Sequence, residues 1–90
     1  MDINMNTFKY FLAVIKEQSV IKAAERMGVS QPTVSYSIHT LQRDLGEQLF
    51  EITRAGITPT PRALLLYRRL YPVYVLMMQT IDNFVQNTVR

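Results

Sequence analysis

The segment from Ser19 to Gly46 constrains the fold most, because the end of one helix and the start of another meet at a single glycine. Ser19 offers an N-cap oxygen, and Gly28 readily adopts the left-handed conformation that ends a helix. Ser30 is a second N-cap candidate, and Pro32 falls in the first turn of the next helix, where its missing N–H costs nothing. Apolar residues continue this helix at helical spacing, namely Val34, Ile38, Leu41 and Leu45, and Gly46 is its expected C-terminal stop. Two helices joined by so tight a turn can present the second one to a major groove.

The flanking segments complete a mainly α pattern. Apolar residues recur every three or four positions from Met5 to Lys16, which predicts a first helix. The stretch Leu49–Thr60 alternates, turns and returns, which predicts a short β-hairpin. A last long helix is expected from Arg62 to about Asn87, and Pro72 predicts a kink or local break near Val73. The expected fold is therefore a winged helix-turn-helix (three helices plus a hairpin wing) over residues 1–60. A linker or dimerisation helix follows over residues 61–90.

Composition excludes several classes of function. The 90 residues suffice for one small domain and contain no cysteine, which excludes disulfides and thiolate chemistry. His39 is the only histidine, and we expect no metal and no other cofactor. We find no nucleophile with a base, no carboxylate pair and no phosphate-binding glycine loop, so an enzyme is not expected. No signal peptide or membrane span is visible, and a soluble protein of the cytoplasm, associated with the nucleoid, is expected.

Net charge alone is weak evidence for a nucleic-acid partner. The chain carries a formal charge of +3, but its first sixty residues hold equal numbers of basic and acidic side chains. The excess lies in the last third and comes from Arg62, Arg68, Arg69 and Arg90 against Asp82. The argument for DNA binding must therefore rest on pattern.

Residues 19–35, with Ala-Ala at 23–24 and Ser-Gln-Pro-Thr-Val-Ser at 30–35, resemble the signature of LysR-type transcriptional regulators. The resemblance covers roughly residues 5–65, and the wing ending, residues 56–63, is similar to the nodulation- and leucine-operon-type branch. It implies sequence-specific binding of promoter or operator DNA, with a recognition helix at about 30–45 in the major groove. The wing, at about 49–60, is expected to point toward the minor groove.

The resemblance places Gln31, Pro32 and Ser35 at or near base edges. A glutamine amide both donates and accepts, which suits an adenine edge, whereas Pro32 offers an apolar surface for a thymine methyl. Ser30 and Thr33 are expected to bind phosphate or simply to cap the helix.

Three further positions carry open alternatives. Tyr36, which we expect on the same exposed arc as Ser35, contacts either DNA or only solvent. His39 stands where relatives often carry a phosphate-facing lysine or arginine. Relatives also place a minor-groove arginine two residues after the Leu-Phe pair, where this chain has Ile52. Either Arg54 replaces that contact or the contact is weak, and we expect a lower affinity than is usual in the family, without a steep salt dependence.

The last helix carries a heptad seam that a sixty-residue headpiece cannot cover, so a homodimer is expected. One turn of this helix, near Leu64 to Tyr67, is also expected to pack on the headpiece of the same chain. The expected interface residues are Tyr67, Leu70, Tyr74, Met77, Ile81 and Phe84. LysR-type regulators normally continue into an effector-binding domain, so we expect a fragment, and a small-molecule effector only through that absent domain. The alternative is a protein-interaction module in which the headpiece is a passive scaffold. Target promoter, and activation or repression, are not predicted.

Overall fold

A computed structural model describes residues 3–54 and 56–88, and its element order agrees with the expected winged helix-turn-helix. The helices are α1 (Asn6–Glu17), α2 (Val20–Met27), α3 (Gln31–Leu45) and α4 (Pro61–Thr88), with strands β1 (Phe50–Thr53) and β2 (Gly56–Pro59). The mainly α fold with a hairpin before the last helix is confirmed. Ala55 in the hairpin turn and Arg90 in the basic C-terminal third lie outside the described residues.

The predicted caps form as local chemistry requires. The Ser19 Oγ accepts a hydrogen bond from the Lys22 N–H at 3.1 Å, which starts α2. Gly28 ends α2 with φ +70° and Gly46 ends α3 with φ +67°, both in the left-handed region that favours glycine. Gln18 ends α1 in the same region, at φ +54°, although the sequence offered no glycine there.

The core lies where α1, α2 and α3 meet. Its largest fully buried side chains are Phe11, Val14, Val34, Leu41 and Leu49. The buried Ala23 and Ala24 let α2 approach its neighbours closely, as a helix-turn-helix requires. Two positions differ from the predicted α1 face: Met5 is exposed, and Thr7 is buried with its hydroxyl donating to the Asn4 carbonyl at 2.6 Å. A local hydrogen bond thus lets a polar residue take the buried place.

The wing is an antiparallel hairpin in which Ile52 pairs with Ile57 and Phe50 with Pro59. Phe50 is buried, and its ring packs on that of Phe11 with centroids 5.8 Å apart. The Gln42 Oε1 accepts from the N–H groups of Leu49 and Phe50, at 2.9 and 3.0 Å. One side chain of α3 therefore holds the strand at the point where the wing begins.

The long helix α4 continues from Pro61 through Pro72 without interruption, so the local break expected near Val73 does not occur, and the kink expected there stays a prediction. Proline removes only its own N–H from the ladder, and the bonds of neighbouring turns suffice to carry the helix past it. Pro61 belongs to the first turn, where proline costs nothing. The molecule measures 53 Å along its longest axis. Over the described ranges, no helix has the length and apolar character to cross a membrane.

Packing divides α4 into two parts. The Ala63 side chain is buried in the headpiece core, and Leu66, Tyr67, Leu70 and Tyr74 pack against that core while partly buried. The contact with the chain's own headpiece therefore extends two turns beyond the Leu64–Tyr67 turn expected from the sequence. Beyond Tyr74 the large apolar residues of the seam are exposed, among them Met77, Ile81 and Phe84.

Candidate nucleic-acid interface

The N-terminal half of α3 presents exposed polar side chains next to the wing. Gln31, Pro32, Thr33 and Ser35 are all exposed. They occupy the first five positions of the helix, where unpaired backbone N–H groups and the helix dipole favour negative charge. The residues of the resemblance thus occupy the end of α3 that best suits contact with DNA.

Ser30 and Thr33 form the predicted cap. The Ser30 Oγ accepts from the Thr33 N–H at 3.3 Å, and the two hydroxyl oxygens lie 2.8 Å apart. The capping alternative for Ser30 is therefore seen in the structure. Phosphate binding by Ser30 and Thr33 remains a prediction, and it has to coexist with these contacts.

Gln31 and Ser35 line a concave surface between α3 and the wing, which we call the wing cleft. Its other walls are the start of α2, residues 18–22, and the wing residues Ile52, Gly56 and Ile57. His39 lies one turn further along α3, near Ser35, Gln42 and the same two wing isoleucines. The structure therefore brings Gln31, Ser35 and His39 to the side of α3 that faces the wing.

Tyr36 and Thr33 face a different groove. They line a groove with Asn6 and Tyr10 at the start of α1 and with Thr40 on α3. Tyr36 and Ser35 are both exposed, as expected, and they line neighbouring grooves along one exposed arc of α3. Consecutive helical residues are separated by about 100°, which suffices to divide them between two grooves.

The wing itself exposes one apolar and one basic side chain. Ile52 is 90% exposed, and Arg54 is exposed in the turn that follows β1. Arg54 therefore lies in the turn, beyond the strand position at which the family carries its arginine. Both alternatives therefore stay open: Arg54 replaces the minor-groove contact of the family's arginine, or that contact is weak.

Three contacts that position the interface were not predicted from the sequence. Gln42 holds the start of β1, as described above. The Thr60 hydroxyl donates to the Gln48 carbonyl at 2.7 Å and accepts from the Ala63 N–H at 3.2 Å, which caps α4. Arg62 forms an ion pair with Glu47 at 3.0 Å. Of these, only the Thr-Pro-Arg-Ala pattern before α4 suggests a cap.

Several basic side chains of the headpiece and of the start of α4 are paired. Besides Arg62, Arg26 lies 3.2 Å from Glu17 and Arg43 lies 3.6 Å from Asp44. Such surface pairs add little stability, but each carboxylate offsets a positive charge near its arginine. In the part of the chain that the structure describes, no group of three or more histidine, cysteine or carboxylate side chains is arranged to hold a metal ion.

Comparisons with known proteins agree with this geometry. The family model described as bacterial regulatory helix-turn-helix protein, lysR family, matches residues 5–64. The HTH-type transcriptional regulator BenM of Acinetobacter baylyi is 31% identical over 88 residues, which cover 98% of this chain and 28% of BenM. The nitrogen assimilation regulatory protein nac of Escherichia coli is 35% identical over 65 residues, which cover 72% of this chain and 21% of nac. This chain thus spans under a third of these relatives, which are named as regulators and not as enzymes.

Solved structures of DNA-binding domains superpose on this fold. The BenM_DBD/catB site 1 DNA complex superposes with a TM-score of 0.84 at 29% identity, covering 96% of this chain and 94% of that one. The CbnR_DBD–DNA complex superposes with a TM-score of 0.80 at 28% identity, covering both chains fully. The finer resemblance to the nodulation- and leucine-operon-type branch stays a prediction. Since the family model matches more than half of its residues, the chain belongs to the lysR family of bacterial regulatory helix-turn-helix proteins.

Proposed function

We propose that the chain binds double-stranded DNA in a sequence-specific way as a homodimer and regulates transcription. In this proposal α3 enters the major groove and the wing lies along the flanking minor groove. The observation that carries the proposal is the wing cleft, where exposed Gln31 and Ser35 at the start of α3 adjoin the wing. The BenM_DBD and CbnR_DBD structures, both solved as DNA complexes, share this fold and support the proposal.

Base reading falls to Gln31, whose exposed amide matches the donor and acceptor of an adenine edge. Pro32 offers an apolar surface to a thymine methyl, and Ser35 lies one turn along the same side. His39, Thr33 and Tyr36 flank these positions and are proposed to contact the DNA backbone. Ser30 caps the helix and orients its N-terminal N–H groups, and Arg54 approaches DNA from the wing turn.

Dimerisation is proposed to use the second half of α4. Met77, Ile81 and Phe84 are between 47% and 69% exposed, and they continue the heptad seam beyond the headpiece. Tyr67, Leu70 and Tyr74 pack against the headpiece and are also proposed to border the partner helix. We propose residues 1–60 as the DNA-binding headpiece and residues 61–90 as the linker and dimerisation segment. A regulator of this kind acts in the cytoplasm at the nucleoid, and senses an effector only through a further domain.

A binding titration tests the proposal. Duplexes are selected from a random-sequence library by the wild-type chain, and the tightest one is compared with its shuffled version at two salt concentrations. Gln31→Ala is expected to weaken binding to the selected duplex about tenfold or more, since a good bidentate contact discriminates by about 1–3 kcal/mol. Binding to the shuffled duplex should stay unchanged. Gln79→Ala, a substitution of an exposed glutamine on α4, serves as the matched control.

The alternative function is a protein-interaction module that uses α4 alone. The exposed apolar residues of α4 favour it, because such a surface marks a binding site for some protein. Equal and weak binding to selected and shuffled duplexes, unaffected by Gln31→Ala, would exclude the proposed function and favour this alternative.

A further inference from the structure

The wing exposes an isoleucine where an apolar side chain has no structural use. Ile52 is the third residue of β1, and its partner across the hairpin is Ile57. Side chains alternate along a strand, so Ile52 shares its face with the buried Phe50 and continues that face past the edge of the core. At 90% exposure Ile52 contributes almost nothing to the core, and its apolar surface remains in water.

Ile52 is continuous with the surface that faces DNA in the proposed function. It lines the wing cleft together with Gln31 and Ser35 of α3. Ile21, at 55% exposure, and the partly buried Ile57 line the same cleft. Three isoleucines therefore form an apolar surface beside the polar side chains that are proposed to read bases.

The charge of the wing gives it little attraction to phosphate. Between Leu49 and Thr60 the sequence holds one acidic residue, Glu51, and one basic residue, Arg54, so the formal charges cancel. Glu51 lies on the opposite face of β1 from Ile52, because the two are adjacent in the strand. The basic residue of the wing cleft is Lys22 at the start of α2, so contact between the wing itself and DNA must gain more from burial of apolar surface than from net charge.

The two classes of base pair differ in the minor groove in a way that an isoleucine can distinguish. A·T pairs show only acceptors there, whereas G·C pairs add the guanine 2-amino donor. Against an isoleucine that donor would lose water and find no acceptor, which costs free energy. An apolar side chain in the groove therefore disfavours guanine without making any hydrogen bond.

We propose that Ile52 packs in the minor groove that flanks the α3 contact and excludes guanine from the base pairs beneath the wing. The inference rests on the proposed DNA binding and assigns a specificity-determining role to one residue. It replaces a charge contact with an apolar one at this position of the wing. It also names the sequence feature of DNA that the wing detects, which is the absence of the 2-amino group.

Base substitution in DNA tests the inference directly. The starting point is the selected duplex. Each A·T pair that flanks the segment contacted by α3 is replaced, symmetrically in both half-sites, by inosine·cytosine or by G·C. Inosine·cytosine has the major-groove edge of G·C but lacks the minor-groove amino group. Wild type is expected to bind the A·T and inosine·cytosine duplexes equally, and the G·C duplex at least about fivefold more weakly, at the positions under the wing.

Protein variants connect this preference to Ile52. Ile52→Thr keeps a β-branched side chain suited to a strand and supplies a hydroxyl acceptor, so the G·C penalty should fall to less than about twofold. Thr58→Ala, on the opposite face of the hairpin, is the matched control and should keep the penalty. Since Ile52 is exposed and Thr is a good strand former, both variants are expected to fold.

Each outcome decides between the two proposals. If wild type binds the inosine·cytosine and G·C duplexes equally, or if Ile52→Thr keeps the full penalty, the role of Ile52 is overturned while DNA binding stands. A penalty that persists in the threonine variant would report groove width rather than contact with Ile52. A wild-type chain that selects no sequence, with no effect of Gln31→Ala, overturns the proposed function and this inference together.

Discussion

Ser37 places a hydroxyl group in the core between α1 and α3. Its side chain is only 6% exposed, and its Oγ has no hydrogen-bond partner among the described residues. The helix-turn-helix pattern usually has an apolar residue at this position. A buried polar atom without a partner costs about 1–3 kcal/mol. Ser37 is therefore a place where this chain gives up stability.

We expect Ser37→Ala to raise the free energy of unfolding by about 1 kcal/mol, because it removes the unpaired hydroxyl and leaves little empty space. Urea unfolding followed by circular dichroism measures the change, at one fixed chain concentration so that dimerisation contributes equally. Ser35→Ala, on an exposed serine two residues earlier, is the control and should change stability by less than about 0.5 kcal/mol. A loss of stability in Ser37→Ala would show that the hydroxyl has a partner in solution.

One amide group of α3 holds the start of the wing. The Gln42 Oε1 accepts from two consecutive backbone N–H groups, those of Leu49 and Phe50. We expect Gln42→Leu to speed hydrogen exchange at these two amides about tenfold or more, since about 1.4 kcal/mol corresponds to tenfold and two donors lose their acceptor. Amide exchange followed by NMR measures the effect. Gln42→Glu keeps an acceptor oxygen and should exchange more slowly than Gln42→Leu, and equal exchange in both variants would contradict the role of the oxygen.

The elements that were predicted from the sequence are those determined by local chemistry. Serine caps, glycine stops and helical spacing act within a few residues, so Ser19, Gly28 and Gly46 marked helix boundaries correctly. The contact of Gln42 with residues seven and eight positions away depends on how α3 and the wing pack, which no local pattern records. The same holds for Tyr36, because both grooves beside α3 are formed by other elements. At Pro72 the local break does not occur, because the hydrogen bonds of the neighbouring turns continue the helix.

At the scale of the whole molecule, α4 extends an apolar seam beyond what the headpiece covers. We expect Ile81→Glu to shift the chain from dimer to monomer, because a paired helix would bury the carboxylate in its apolar seam. Sedimentation equilibrium measures the shift as a tenfold or larger increase in the dimer dissociation constant. Asn83→Glu adds the same charge about 200° around the helix and should leave the dimer intact. A dimer unchanged by Ile81→Glu would move the interface away from the second half of α4.

The Thr60 hydroxyl joins the end of the wing, the segment after α3 and the first turn of α4, and the Arg62–Glu47 pair braces the same joint. Together with the burial of Ala63 and the packing of Leu66 and Leu70 against the core, the Thr60 contacts leave α4 little freedom to swing on the headpiece. In a two-fold dimer, the distance and the angle between the two α3 helices would then be fixed. One base pair inserted between the half-sites turns one of them by about a tenth of a helical turn, so that the second α3 no longer faces its half-site. The length of a promoter's spacer would thus be under selection as strict as the identity of the bases at either end.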